Sequence, residues 1–117
     1  MIDKKRILQF IGLATRAGKM VSGFEATVDS VSKGEVKILL ISEDISRNTL
    51  SKLLDNIAAS AYEPEAYRFG TAEELGNCTG KRPRAIVAIT DEGFANKLRV
   101  MLEEYNDNSN DETEDKN

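Results

Sequence analysis

The chain has 117 residues, a formal net charge of −4 and an apolar content of 40%. This suits one domain with an ordinary core, and no apolar run approaches the ~18 residues that a membrane-spanning helix needs. Because Cys78 is the only cysteine, no internal disulfide can form, and the absence of histidine removes the commonest general base and metal ligand. The N-terminus lacks the apolar stretch of a signal peptide, so we expect a cytoplasmic protein.

The negative charge is concentrated at the end of the chain. Residues 105–117 contain five acidic residues and one lysine, which leaves residues 1–104 with 15 basic and 15 acidic residues. No apolar residue follows Tyr105, so we predict a single domain over residues 1–105 and an acidic, disordered tail over residues 106–117. The acidic tail does not exclude a nucleic-acid partner for the neutral domain.

Predicted helices and strands alternate along the domain. In chain order they are a helix over about 4–17, a strand over 19–21, a helix from Ser22 to Gly34, a strand over 36–41, a helix over about 46–61, a strand over 66–69, a helix from Thr71 to near Gly80, a strand over 85–90 and a helix over 91–105. The first helix has an apolar stripe that Phe10 and Leu13 widen, and Leu54 belongs to the apolar stripe of the 46–61 helix. Asp3 and Ser46 can cap the helices that follow them, and Thr71 and Glu74 have the spacing of a capping box. The alternation predicts an α/β fold with a central, mostly parallel sheet between helices.

The stretch from Arg16 to Gly34 combines a helix N-terminus with basic residues. Ser22 can cap this helix, and Glu25 stands three residues later, which is the spacing of a capping box. The start of a helix attracts anions, because its first N–H groups lack intrahelical partners and the helix dipole is positive there. Since Arg16 and Lys19 add positive charge, the stretch is either a site for phosphate groups or simply a well-capped helix.

A second basic cluster, Lys81-Arg82-Pro83-Arg84, lies in the loop before the last predicted strand. Proline keeps the loop extended, so the charged side chains should point outward. Such a loop is often only solvated. Beside the N-terminus of a helix, however, it would form a composite surface that contacts phosphates.

Two acidic pairs, Glu43-Asp44 and Asp91-Glu92, follow predicted strands and precede helices. Carboxylates at the carboxyl ends of parallel strands can hold Mg²⁺, but acidic residues also stabilise the first turn of a helix. No nucleophile or base can be assigned to such a metal, Cys78 has no histidine to activate it, and Gly18 to Gly23 lacks the ending of a nucleotide-binding phosphate loop. We therefore expect no catalytic residue, no metal and no cofactor.

Several short segments of the sequence together resemble the L7Ae/L30e ribosomal protein family. They are Gly18 to Gly23 with the helix that follows, Ile41 to Asp44, Glu74 to Gly76 with Gly80, and Val87 to Ile89. Gly12 to Lys19 and Thr90 to Ala95 are similar to the bacterial YlxQ-type members in particular. The resemblance, over about residues 5–103, implies a three-layer α/β/α sandwich with a small mixed four-stranded sheet. It also implies a non-catalytic, ribosome-associated protein that binds kink-turn RNA.

The family contacts RNA through the helix after the equivalent of Gly23 and through the loop before the last strand. Where it typically has Asn, Glu and a later Lys, this chain has Glu25, Ala26 and Asp29. The predicted RNA-binding residues are Arg16, Lys19, Ser22, Gly23, Phe24, Glu25, Lys81, Arg82 and Arg84. The alternative is a protein–protein adaptor on the same fold that has lost RNA binding, which Ala26, Asp29 and the acidic tail favour. In either case we expect a monomer without DNA or membrane partners.

Overall fold

A computed structural model describes residues 2–80 and 82–115, with side chains as far as Asp107. The elements in these ranges are α1 (Lys4–Arg16), β1 (Met20–Ser22), α2 (Phe24–Ser32), β2 (Ile38–Ile41), α3 (Arg47–Ala59), β3 (Glu65–Arg68), α4 (Ala72–Thr79), β4 (Ile86–Ile89) and α5 (Glu92–Asp115). Among these helices, none carries an apolar stretch that could span a lipid bilayer.

The four strands form one mixed sheet in the order β1-β4-β2-β3. β2 and β3 are parallel, whereas β4 is antiparallel to both β1 and β2. The α/β class and the mixed four-stranded sheet are therefore confirmed. The mostly parallel sheet that the alternation favoured is wrong, because the central strand β4 runs against both of its neighbours.

The antiparallel arrangement decides which loops meet. Ser22 at the end of β1 pairs with Val87, and Ile41 at the end of β2 pairs with Ile86. The ends of β1 and β2 therefore lie beside the start of β4. We call this part of the molecule the Gly23 edge; it comprises residues 22–25, 42–44 and 82–85.

Alternate residues of the central strands face two separate cores, as expected for a sheet covered on both sides. On one side, Ile7, Ile11, Leu75, Leu98 and Leu102 of α1, α4 and α5 pack against Ile38, Leu40, Val87 and Ile89. On the other side, residues of α2 and α3, including Val28, Leu50 and Leu53, pack against Leu39, Ile41, Ile86 and Ala88. Helices thus cover both faces of the sheet, which gives the three layers of the sandwich.

Two predicted members of apolar stripes are not in these cores. Leu13 of α1 is 48% exposed and Leu54 of α3 is 51% exposed, while Leu53 is the residue of α3 that is fully buried. The reason is geometric. Each helix has the sheet on one side and no further layer on the other, so only a narrow line of its residues is covered.

The caps of three helices agree with the sequence. Asp3 accepts a hydrogen bond from the Arg6 N–H in α1, and Ser46 accepts one from the Thr49 N–H in α3. At α4 the predicted capping box is confirmed: the Thr71 side chain accepts from the Glu74 N–H, and the Glu74 carboxylate accepts from the Thr71 N–H.

The last helix is longer than predicted. α5 continues to Asp115, ten residues beyond the expected end at Tyr105. The backbone as far as Asp115 is thus helical where a disordered tail was expected, and no glycine or proline after Gly93 interrupts the helix. The division of the chain at residue 105 into a domain and a tail stays a prediction, and the side chains that would test it, beyond Asp107, lie outside the described part.

Candidate nucleic-acid interface

The N-terminus of α2 is capped by Gly23 and not by Ser22. Gly23 has φ 93° and ψ 163°, a conformation that only glycine adopts readily, and its N–H donates to the Ile86 carbonyl at 2.9 Å. The predicted capping box of Ser22 and Glu25 is wrong, because Ser22 is the last residue of β1 and its backbone pairs with Val87.

The start of α2 is consequently open to a ligand. No described side chain accepts a hydrogen bond from its first N–H groups, which are left for water or for an anion. A Cβ atom on Gly23 would meet no atom within 4 Å, so the space above this residue is empty. Phe24 is half-buried and packs on the α2/α3 core, while Glu25 is exposed at the start of the helix.

The loop before β4 is fastened beside this helix start. Arg84 donates from its backbone N–H to the Ala72 carbonyl at 2.9 Å, and from its side-chain Nε to the Ser22 hydroxyl at 3.3 Å. The next residue, Ala85, accepts from the Ser42 N–H at 2.8 Å. Arg82 is exposed. Lys81, which the sequence also predicted as a contact, lies outside the described residues.

Gly76 allows the loop to approach α4 closely, a role that the sequence did not reveal. A Cβ atom on Gly76 would overlap the carbonyl oxygen of Arg82 and would come within 2.8 Å of Pro83 Cα. Only glycine therefore lets the Arg82–Pro83 backbone lie against the helix. The sequence signal that could have revealed this role is the position of Gly76 inside a predicted helix. A glycine there lowers the stability of the helix by ~1 kcal/mol relative to alanine, so its presence suggests close packing.

Arg16 and Lys19 do not join the other predicted site residues at the Gly23 edge. The Lys19 carbonyl accepts from the Thr90 N–H at 3.0 Å, which places Lys19 at the start of β1, beside the end of β4. Gly23 lies four residues further along an extended chain, or ~13 Å at ~3.3 Å per residue. Arg16, at the end of α1, lines a shallow cavity with Gly12 and Cys78 near the end of α4.

One residue of each acidic pair accepts a hydrogen bond at the start of a helix. Asp44 Oδ1 accepts from the Ala72 N–H at 2.9 Å, a hydrogen bond that lowers the pKa of Asp44, and Asp91 Oδ2 accepts from the Phe94 N–H at 2.9 Å. The pairs follow β2 and β4, which are antiparallel. They therefore lie at opposite ends of the strands. The arrangement that would favour a shared Mg²⁺ site is thus not formed. Within the described ranges, no three acidic or cysteine side chains cluster as metal ligands.

The positions that depart from the family pattern lie on the outer face of α2. Ala26 is exposed, and Asp29 is exposed and forms an ion pair of 3.0 Å with Lys33 one turn later. The pKa of Lys33 is raised by its hydrogen bond to Asp29. Of the two acidic residues at these positions, Asp29 is paired with Lys33, and Glu25 is the one that carries a negative charge unpaired among the described residues.

Residues 5–99 match the profile of the ribosomal protein L7Ae/L30e/S12e/Gadd45 family. The chain belongs to this family. An RNA-binding protein YlxQ of Bacillus subtilis (strain 168) is 38% identical over 93 residues, which cover 80% of this chain and 91% of that protein. An RNA-binding protein YlxQ of Enterococcus faecium is 34% identical over 101 residues, which cover 86% and 95%.

A solved structure of a protein of unknown function from Bacillus halodurans superposes with a TM-score of 0.74. It is 32% identical in sequence, and the match covers 86% of this chain and 99% of that one. The family assignment made from the sequence phrases is thus confirmed, including the similarity to YlxQ proteins.

Proposed function

We propose that this member of the L7Ae/L30e family is a non-catalytic protein that binds structured RNA of the kink-turn type, in association with the ribosome, and that it binds through the Gly23 edge. The observation that carries the proposal is the start of α2, which has no side-chain cap among the described residues, is open above Gly23 and lies beside Arg84. The names of the two YlxQ relatives agree with an RNA ligand.

The Gly23 edge offers two kinds of contact. The first N–H groups of α2 and the guanidinium groups of Arg82 and Arg84 are donors suited to phosphate oxygens, which position a nucleic acid without reading its sequence. The exposed carboxylate of Glu25 is an acceptor for a base amino group, which is how a side chain can read a base edge. Gly23 lets the RNA backbone come close to the helix.

Arg16 and Lys19 form a second, outer set of contacts in this proposal. They lie ~13 Å from Gly23 along β1, so they would meet phosphates further along the RNA and not those at the start of α2. Lys81 is proposed as a phosphate contact on its sequence position alone.

The test is a titration of the full chain against a kink-turn duplex and against the same duplex with its tandem G·A pairs replaced by Watson–Crick pairs. We expect tight binding to the first RNA and at least tenfold weaker binding to the second. Equal affinity for both would leave RNA binding in place and would remove the kink-turn from the proposal.

One observation favours a second function. Glu25, Ala26 and Asp29 give the outer face of α2 a less positive character than an RNA-reading helix usually has. If neither RNA binds at 20–50 mM salt, where phosphate contacts are strongest, the Gly23 edge is not an RNA site. The adaptor function is then the one to pursue.

A further inference from the structure

An apolar surface between α1 and α5 shares only Arg16 with the proposed RNA site. It consists of two adjoining depressions of about 240 and 380 Å³ that share Phe10 and Lys97. The floor is formed by Phe10, Leu13, Phe94 and Met101, and the rings of Phe10 and Phe94 have their centroids 5.4 Å apart. Leu13, which the core does not cover, is 48% exposed here. We call this surface the α1/α5 groove.

The rim of the α1/α5 groove is basic. Arg6, Arg16 and Lys97 line it, and none of them forms an ion pair within the described residues. Asp91 is the one acidic residue among the lining residues, and its carboxylate already accepts the hydrogen bond of the Phe94 N–H. The groove therefore presents an apolar floor among three positive charges and one negative charge, which leaves its surroundings basic overall.

We propose that the α1/α5 groove binds an acidic amphipathic helix of another protein. Two neighbouring helices form a trough in which a third helix can place apolar side chains at positions i, i+3, i+4 and i+7. Acidic residues that flank this apolar face would meet Arg6 and Lys97, and complementary charge of this kind favours the right partner and speeds association.

The same features make RNA a poorer fit. Single-stranded RNA binds to basic surfaces by stacking its bases on open aromatic faces. Here Lys97 Nζ lies over the Phe10 ring, 5.7 Å from its centroid, and much of the remaining floor consists of the aliphatic side chains of Leu13 and Met101. Leu13 and Met101 bury apolar side chains well but offer no aromatic face on which a base could stack.

The chain's own acidic tail is also a poor occupant. It has no apolar residue after Tyr105 to fill the floor. It continues α5 as helix, so Asp111 lies ten residues beyond Met101, or ~15 Å further along the helix axis at ~1.5 Å per residue. The tail thus runs away from the groove that α5 lines.

The test uses three fluorescein-labelled peptides of 15 residues and the full-length chain. The first peptide has leucines on one helical face and glutamates around them, the second has lysine for each glutamate, and the third is a scrambled form of the first. Fluorescence anisotropy measures their binding to the native chain and to the variants Leu13→Asp, Lys97→Glu and Val100→Asp. Val100 is the matched control, because it is an apolar residue of α5 that is 66% exposed and does not line the groove.

We expect the acidic amphipathic peptide to bind at least tenfold more tightly than the other two. Leu13→Asp and Lys97→Glu should each weaken it at least fivefold, and Val100→Asp should leave it unchanged. Equal binding of the lysine peptide, or no effect of Leu13→Asp, would overturn the proposal. So would displacement of the peptide by single-stranded poly(U), because the groove would then be an RNA surface.

Discussion

Arg84 donates a hydrogen bond from Nε to the Ser22 hydroxyl at 3.3 Å and so joins two segments that are 62 residues apart in sequence. The bond ties the loop before β4 to the last residue of β1, next to the open start of α2. Among the described residues the bond engages only Nε, so the two terminal nitrogens of the guanidinium group are left for water or a ligand. This is how the fold turns a helix terminus and a basic loop into one surface.

Replacement of Lys81, Arg82 and Arg84 by alanine should weaken the binding of every RNA about equally, because contacts with phosphates carry no sequence information. The slope of log affinity against log salt should flatten by up to about 2 to 3 units, at roughly 0.7 to 0.9 per phosphate contact. The control is the triple alanine variant of Lys5, Lys37 and Lys52, three exposed lysines outside the Gly23 edge. If the loop variant and the control both keep the native salt slope, the loop is only a solvated turn.

The Gly23→Val variant should lose its preference for kinked RNA while it keeps nearly the whole salt slope. Valine places a branched side chain where the proposed site brings the RNA backbone close to the helix, in a backbone conformation that costs about 1 to 3 kcal/mol for a residue with a Cβ. Gly18→Val is the matched control, since Gly18 also has a positive φ, of 74°, and a Cβ atom on it would likewise meet no atom within 4 Å. It should be destabilised too, yet should still prefer the kinked RNA. A similar loss of preference in both variants would point to general damage to the fold.

Local sequence signals predicted most of the elements correctly and failed where tertiary pairing competes with them. Thr71 and Glu74 form the expected capping box because Thr71 belongs to no strand and its side chain is free to cap the helix. Ser22 and Glu25 have the same spacing, but the backbone of Ser22 pairs with Val87 in the sheet. The helix therefore begins one residue later, and Gly23 is its N-cap residue. The capping rule describes one helix end and contains no information about pairing with a strand from a distant part of the sequence.

The composite site was predictable only in part, for a similar reason. Gly23 and Arg84 come together because β1 and β4 pair antiparallel, and a pattern of apolar residues does not reveal the direction in which strands pair. Lys19 seemed to belong to the helix start because it is near Gly23 in sequence. The extended strand β1 separates Lys19 from Gly23, so these two residues lie at its opposite ends although they are close in sequence.

Glu74→Ala should lower the free energy of unfolding by about 1 kcal/mol, the usual effect of a lost helix cap. Glu73→Ala is the control, because Glu73 is exposed in the same helical turn and is not part of the cap. The hydrogen bond from the Thr71 N–H lowers the pKa of Glu74, so its contribution to stability is present above the unfolded-state pKa of about 4.5 and is lost as the pH falls. Urea denaturation at pH 7 and pH 3 should therefore show a difference between wild type and Glu74→Ala that shrinks at the lower pH.

Truncation after Tyr105 should leave the melting temperature within a few degrees of that of the full chain. The removed segment contains no apolar residue, so it has little surface to bury against the domain. Circular dichroism should show a smaller helical signal, because α5 is shortened by up to ten residues. A drop in melting temperature well beyond this range would show that the acidic segment packs against the body of the protein.

Gly76→Ala should displace the basic loop without changing a single charged residue. Its Cβ atom would overlap the Arg82 carbonyl and crowd Pro83, and crowding of this kind typically costs about 1 to 3 kcal/mol. Gly12→Ala is the matched control. Gly12 is also a buried helical glycine, but its Cβ atom would meet Arg16 Nη1 at 3.5 Å and the Cys78 carbonyl at 3.8 Å, which are ordinary contact distances.

Gly12→Ala should therefore be neutral or stabilising by up to ~1 kcal/mol, because alanine favours the helix. Thermal or urea denaturation gives the two stability changes, and RNA titration at several salt concentrations shows whether the loop has moved. We expect Gly76→Ala to weaken RNA binding and to flatten the slope of log affinity against log salt. The reason is that Arg82 and Arg84 would move away from the phosphates while Gly23 keeps its position. If Gly76→Ala is destabilised as expected but binds RNA like the native chain, the close packing of the loop on α4 serves the fold alone, and the arginines reach the RNA without it.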